Sequence, residues 1–231
     1  MTGNMFREVI TSADGTIAEG TCSEAHALAL LRTAVRRGYR AEATRHGGAV
    51  VERDVWDGGF APRKHTVTLE PLTPAGALTA TVRADLDAIA RARAPYFARE
   101  GANAGRIIAG FRYGIPPATS ARLAGRGLVT IGGSGERPAV SLSLAARLAM
   151  LAADHHTSTR KPHGVMYLPD EHRAGHPGSM RRGGYPDFTS TASCVCRWWK
   201  PADDRDSARR KARGHRQQVT AEFVTALAGA R

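Results

Sequence analysis

Lysine is scarce in this chain, with four residues against 29 arginines. Alongside abundant alanine and glycine, that bias points to a GC-rich coding sequence, so a high arginine count alone does not mark a binding face. Cysteine is also rare. Cys22, Cys194 and Cys196 are the three in 231 residues. An odd, low count excludes a disulfide-built scaffold and fits a reducing compartment. Aromatic residues make up only 6%. No apolar run approaches the roughly 20 residues that a membrane span needs, and the N-terminus has no basic-then-apolar leader. The expectation is a cytoplasmic protein without a membrane partner. Several catalytic signatures are missing as well: no P-loop, no dinucleotide-binding glycine pattern, no nucleophile elbow and no coupled carboxylate pair. The chain does not read as an enzyme.

What is present is a globular composition, 42% hydrophobic, with a formal net charge of +12. Such a charge favours an anionic partner, nucleic acid first among them. The excess is spread evenly. Residues 1–150 carry 19 basic and 13 acidic side chains, and residues 151–231 carry 14 and 8.

The stretch from Gly105 to Leu151 gives the most specific reading. Ile107, Ile108 and Phe111 suit a short helix over 105–113 with one buried face. Gly114 stops it, and Pro117 can open a second helix running to about Gly125. That helix is expected to bury Ala118, Ala121 and Leu123 and to expose Thr119, Ser120, Arg122 and Arg126. Leu128 to Ile131 and Ala139 to Leu142 read as two strands around a glycine-rich tip. Ser143 can cap a third helix, whose Leu144, Leu148, Leu151 and Ala152 share a face.

Helix, turn, helix, two strands, helix: this order resembles a winged helix-turn-helix of the MarR type. The pattern LxxRGLV is matched by Leu123, Arg126, Gly127, Leu128 and Val129. The pattern VxLSxAxR is matched by Val140, Leu142, Ser143, Ala145 and Arg147. The resemblance covers about 50 of the 231 residues. It implies a transcriptional regulator that binds double-stranded DNA, usually as a homodimer on a two-fold site. The helix from Pro117 would then enter the major groove, bringing Thr119, Ser120, Arg122 and Arg126 to base edges or phosphates. The loop around Arg137 would reach a neighbouring groove. A non-catalytic docking adaptor is the alternative, because winged helices also bind proteins.

The flanking segments complete an α+β chain: a small N-terminal antiparallel sheet with one helix, the central winged unit, and a C-terminal strand with a basic helix. Domain limits are expected at 1–72, 77–156, 157–190 and 191–231. In the first, Ala13-Asp14-Gly15 marks a hairpin. Thr21 and Glu24 have capping-box spacing for a helix carrying Ala25, Leu28, Leu31 and Val35, and Gly38 ends it. Strands follow over 39–45, 49–55 and 65–69. The helix should cover Ile17, Leu28, Leu31, Val50 and Val67. Pro71 to Gly76 reads as a linker. A helix from Thr81 to about Arg93 carries Val82, Leu86 and Ile89, and Tyr96 to Glu100 adds another helical turn.

Asp154-His155-His156 ends an alanine-rich helix and reads as structural, its histidines facing the negative helix end. Residues 157–190 read as a linker or basic arm, with Arg160, Lys161, Arg181 and Arg182 beside Tyr167 and Tyr185. Cys194 to Trp199 reads as a strand. Asp203, Asp204 and Asp206 open a helix whose Arg209, Arg210 and Arg213 would add sequence-independent DNA affinity. Zinc is the one cofactor suggested. Cys194, Cys196 and His215 supply three ligands of a tetrahedral site, and His172 or His176 is the candidate fourth.

Overall fold

The computed structural model describes residues 4–56, 62–91, 96–97, 107–108, 111–112, 114–132, 138–160 and 190–229. The fold is mixed, with helices and antiparallel sheets. The chain divides into two compact units. The first comprises Met1–Ala153 with Thr220–Arg231, and the second Asp154–Val219. Among the described residues, no helix is long and apolar enough to cross a membrane.

The first unit begins with β1 (Met5–Ser12), β2 (Gly15–Ser23), α1 (Glu24–Arg36), β3 (Arg40–Ala43), β4 (Ala49–Val55) and β5 (Arg63–Pro71). The strands form one antiparallel sheet in the order β2-β1-β5-β4-β3. Helix α1 starts at Ser23, whose hydroxyl accepts the His26 N–H at 3.3 Å. Thr21 instead lies in β2, so the expected capping box does not form. Gly38, at φ +72, closes α1. Its N–H bonds to the Val35 carbonyl and that of Tyr39 to the Ala34 carbonyl, the pairing of a left-handed helix stop.

The core of this sheet holds Phe6, Leu31, Val51, Val67 and Leu69, all buried. Two expected core residues are absent from it. Val50 lies one position out of phase with the buried Ala49 and Val51, so it points to the other face. Ile17 is 53% exposed. It is the extra residue where Ile10 pairs Ala18 but Thr11 pairs Thr16, a bulge in the edge strand β2, whose residues are nearly all exposed.

Next come α2 (Ala80–Ala90), β6 (Tyr96–Phe97), β7 (Ile107–Ile108), β8 (Phe111–Arg112), α3 (Pro117–Gly125), β9 (Val129–Gly132), β10 (Ala139–Leu142) and α4 (Leu144–Asp154). Strands β9 and β10 pair antiparallel, and β6 joins on the free side of β10. Two expectations fail here. Tyr96–Phe97 is a strand rather than a helical turn. The helix expected over 105–113 is replaced by the paired β7 and β8. Ile107 and Ile108 are β-branched, which favours strand over helix.

Helix α4 explains why residues 71–76 do not behave as a linker. Its Leu144, Ala145 and Leu148 pack in the sheet core. Its Ala146, Ala149 and Met150 pack in a second core with Val82, Leu86, Leu123, Leu128 and Val140. A helix buried on both sides reads as alanine-rich all round. Ala75 belongs to that second core, and its N–H bonds the His46 carbonyl at 3.2 Å. The limit expected at 72–77 therefore falls inside the first unit.

The second unit contains β11 (Thr157–Arg160), β12 (Ser190–Cys194), β13 (Trp199–Ala202) and most of α5 (Arg205–Gly229). Its sheet order is β11-β12-β13. The single strand expected over 194–199 is instead the tip of the β12–β13 hairpin. Asp204 caps α5, its carboxylate accepting the Ser207 N–H at 2.6 Å. That bond is the largest cause holding the Asp204 carboxyl below its ordinary range. The last turns of α5 belong to the first unit. There the Thr220 hydroxyl accepts the Ala43 N–H at 3.1 Å and satisfies the open edge of β3.

Candidate metal centre and basic surfaces

The hairpin tip between β12 and β13 sets two sulfur atoms side by side. The Cys194 N–H bonds the Trp198 carbonyl at 2.8 Å, and the Arg197 N–H bonds the Cys194 carbonyl at 3.0 Å. Arg197 has φ +72, the one non-glycine residue with positive φ among those described. This tight turn aims the Cys196 N–H at Cys194 Sγ, 3.5 Å away, where it supports a thiolate.

Two histidines complete the group. His155 follows α4, and His215 sits on the buried face of α5. One ligand atom from each of His155, Cys194, Cys196 and His215 lies within 4.8 Å of every other. Cys196 Sγ is 3.3 Å from His215 Nε2, and Cys194 Sγ is 4.0 Å from His155 Nδ1. Tetrahedral zinc bonds of about 2.0–2.3 Å imply ligand-to-ligand edges of roughly 3.3–3.8 Å. The observed set fits that tetrahedron after closing by about an ångström. The imidazole of His215 is fixed by Trp198, stacked on it at 4.4 Å with 6° between the planes. His155 approaches the same ring edge-on at 5.5 Å. Burial pushes the Cys194 thiol upward, and contact with the Cys196 thiol adds to this against the opposing backbone N–H groups. A divalent metal reverses that balance by displacing the proton.

The sequence supplied Cys194, Cys196 and His215. It does not mark His155, which reads as a helix-terminal residue. No local spacing marks that residue, because the β11–β12 pairing is what returns position 194 beside it. His172 and His176 lie outside the described residues.

The residues expected to meet DNA separate clearly. On α3, Arg122 is exposed and Thr119 half-buried, whereas Ala118 and Ala121 face outward rather than inward. Ser120 is buried, its hydroxyl donating to the Pro117 carbonyl at 2.8 Å. The guanidinium of Arg126 donates to the Ala75 and Ala77 carbonyls at 2.7 and 3.0 Å. Neither Ser120 nor Arg126 is presented to a groove. The error is one of helical phase: Pro117 starts the helix such that positions 120 and 123 form its inner face. Arg137 lies outside the described residues.

On α5, Arg209, Arg210 and Arg213 are all exposed. Arg209 bonds Asp206 at 3.0 Å, and Arg210 bonds the Ser207 hydroxyl at 2.7 Å, both along the helix surface. Exposed pairs of this kind are weak enough for a phosphate to replace them.

No family model, curated protein or solved structure matches the chain.

Proposed function

We propose that the chain is a non-catalytic, zinc-stabilised protein that binds double-stranded DNA. The observation that carries the zinc assignment is the closed set of His155, Cys194, Cys196 and His215. Four protein ligands leave no position for substrate, which is the arrangement of a structural site. Two thiolates balance the charge of Zn²⁺. Among the described residues, the second unit's buried apolar cluster is Ala192, Ala202, Ala208 and Ala212, with Trp198 packed against it. These four buried methyl groups contribute about 3 kcal/mol. Bound zinc supplies a cross-link among three chain segments, and His215 thereby holds the basic part of α5 in place.

The DNA reading rests on the outward Arg209, Arg210 and Arg213 and on the net charge of +12. It is supported by the α3, β9, β10, α4 order, which keeps the helix–ribbon–helix succession of the winged-helix resemblance. Arg122 and Thr119 remain the groove contacts of α3. Because α3 offers few long outward side chains, phosphate contacts dominate and sequence discrimination is weak. Replacing Arg209, Arg210 and Arg213 by alanine is expected to lower the slope of log affinity against log salt by about 2.7 on duplex DNA. An unchanged slope overturns the reading. The docking-adaptor alternative draws on the exposed Ala118 and Ala121 of α3. It predicts no duplex affinity at moderate salt.

A further inference from the structure

The two sulfur ligands at the hairpin tip differ in access. Cys194 is buried, whereas Cys196 is exposed. They are also close neighbours. Cα atoms two residues apart are separated by at most about 7 Å even in extended chain. Here the bond from the Arg197 N–H to the Cys194 carbonyl folds the stretch into a turn. The pair is therefore within reach of a disulfide, which bridges Cα atoms roughly 4.4–6.8 Å apart. The two Sγ atoms already lie within 4.8 Å of each other.

The other two ligands come from other elements. His155 precedes β11, and His215 lies on α5. One covalent change at the tip thus removes both sulfur ligands and leaves two imidazoles, fewer than the four ligands of a structural zinc site. The local charge favours reaction at sulfur. Arg197, next in the chain after Cys196, is exposed, and the segment 190–202 contains no acidic residue. Positive surroundings keep a cysteine in its thiolate form.

An exposed thiolate with a second thiol in reach is the arrangement of a redox-sensing pair. We propose that Cys194 and Cys196 form a reversible switch that responds to hydroperoxides by releasing the metal. This inference rests on the zinc reading above. With hydrogen peroxide, the Cys196 sulfur attacks one oxygen and the O–O bond breaks. Cys196 becomes a sulfenic acid, and the departing hydroxide takes a proton from solvent to leave as water. The Cys194 sulfur then attacks Cys196. The S–S bond forms, the S–O bond breaks, and a second hydroxide leaves as water with another proton. The two thiolates have given two electrons to the peroxide. A thiol reductant restores both, in keeping with the transient disulfides of a reducing compartment.

The test uses the full zinc-loaded chain with hydrogen peroxide as the probe. A chromogenic chelator reads released zinc. Mass spectrometry reads the tryptic peptide 183–197, which holds Cys194 and Cys196 and not Cys22. The expected result is one zinc lost for each such peptide that becomes lighter by two hydrogens, and recovery of both after a dithiol reductant and added zinc. Cys194→Ser, which removes the second sulfur, is expected to leave a sulfenic acid at Cys196 that dimedone traps. Should that variant fail to fold, brief alkylation of the zinc-loaded wild type gives the order of attack, with Cys196 expected to be labelled before Cys194. Zinc retained under excess peroxide overturns the proposal, as does a disulfide between two chains or oxidation to sulfinic acid without a disulfide. Faster labelling of Cys194 overturns it as well. A reduced chain without stoichiometric zinc overturns the metal reading and this inference together, whereas bound zinc indifferent to peroxide overturns this one alone.

Discussion

The carboxylate of Glu24, the first residue of α1, accepts the backbone N–H of Leu144, the first residue of α4, at 2.6 Å. One helix start thus caps another across 120 residues of chain. The second carboxylate oxygen accepts from the Asn4 side chain at 3.2 Å. Ser143 completes the arrangement, accepting the Ala146 N–H at 3.0 Å and donating to the Gly127 carbonyl at 2.7 Å. The sheet and the region around α3 are joined here by hydrogen bonds as well as by the two cores that share α4.

Glu24→Ala should therefore cost the first unit about 1–2 kcal/mol, the range of a helix cap with charge assistance. Glu24→Gln, which keeps an acceptor oxygen, should cost roughly half of that. Thermal unfolding of the two variants checks this. Identical stability for wild type and Glu24→Ala would show that the contact contributes nothing.

Arg126 provides a separate check on the winged-helix resemblance. Its guanidinium is committed to the Ala75 and Ala77 carbonyls. Arg126→Ala is expected to lower stability by about 1–3 kcal/mol while leaving the salt slope of duplex binding unchanged. A lower slope with unchanged stability would return Arg126 to the DNA interface.

The start of α5 should respond to acid. The Asp204 carboxyl is held below its ordinary range, chiefly by the Ser207 N–H. A lowered folded-state value means that its stabilisation is present above the ordinary aspartate range and is lost as pH falls through the lowered value. Amide exchange at Ser207 and Ala208 should accelerate in that acid window. In Asp204→Asn, which keeps a capping oxygen without titrating, the acceleration should disappear.

Much of the local structure was legible in the sequence because local chemistry decided it. Pro117 and Gly125 bounded α3, Ser143 capped α4, and Val67 and Leu69 alternated onto the core side of β5. The failures came where a partner distant in sequence decided the outcome. Glu24 has the spacing of a local capping box but serves Leu144. Ala75 sits in a proline- and glycine-rich stretch but is buried beneath α3 and α4. Ile107 and Ile108 fit one face of a helix equally well, and strand pairing with 111–112 settled the matter. At the candidate metal centre, Cys194, Cys196 and His215 were visible as chemically suitable residues. His155 was not, because only the β11–β12 register carries it to the hairpin tip.

The account depends most on the second unit being a folded body because zinc holds it. The direct measurement is amide hydrogen exchange on the metal-free chain titrated with zinc, with bound metal quantified at each point. The predicted result is one zinc per chain, with protection of β12, β13 and the first half of α5 rising in step with occupancy while β1, β4 and β5 stay protected throughout. Full protection of β12 and β13 in chelator, or no stoichiometric zinc, would contradict the account.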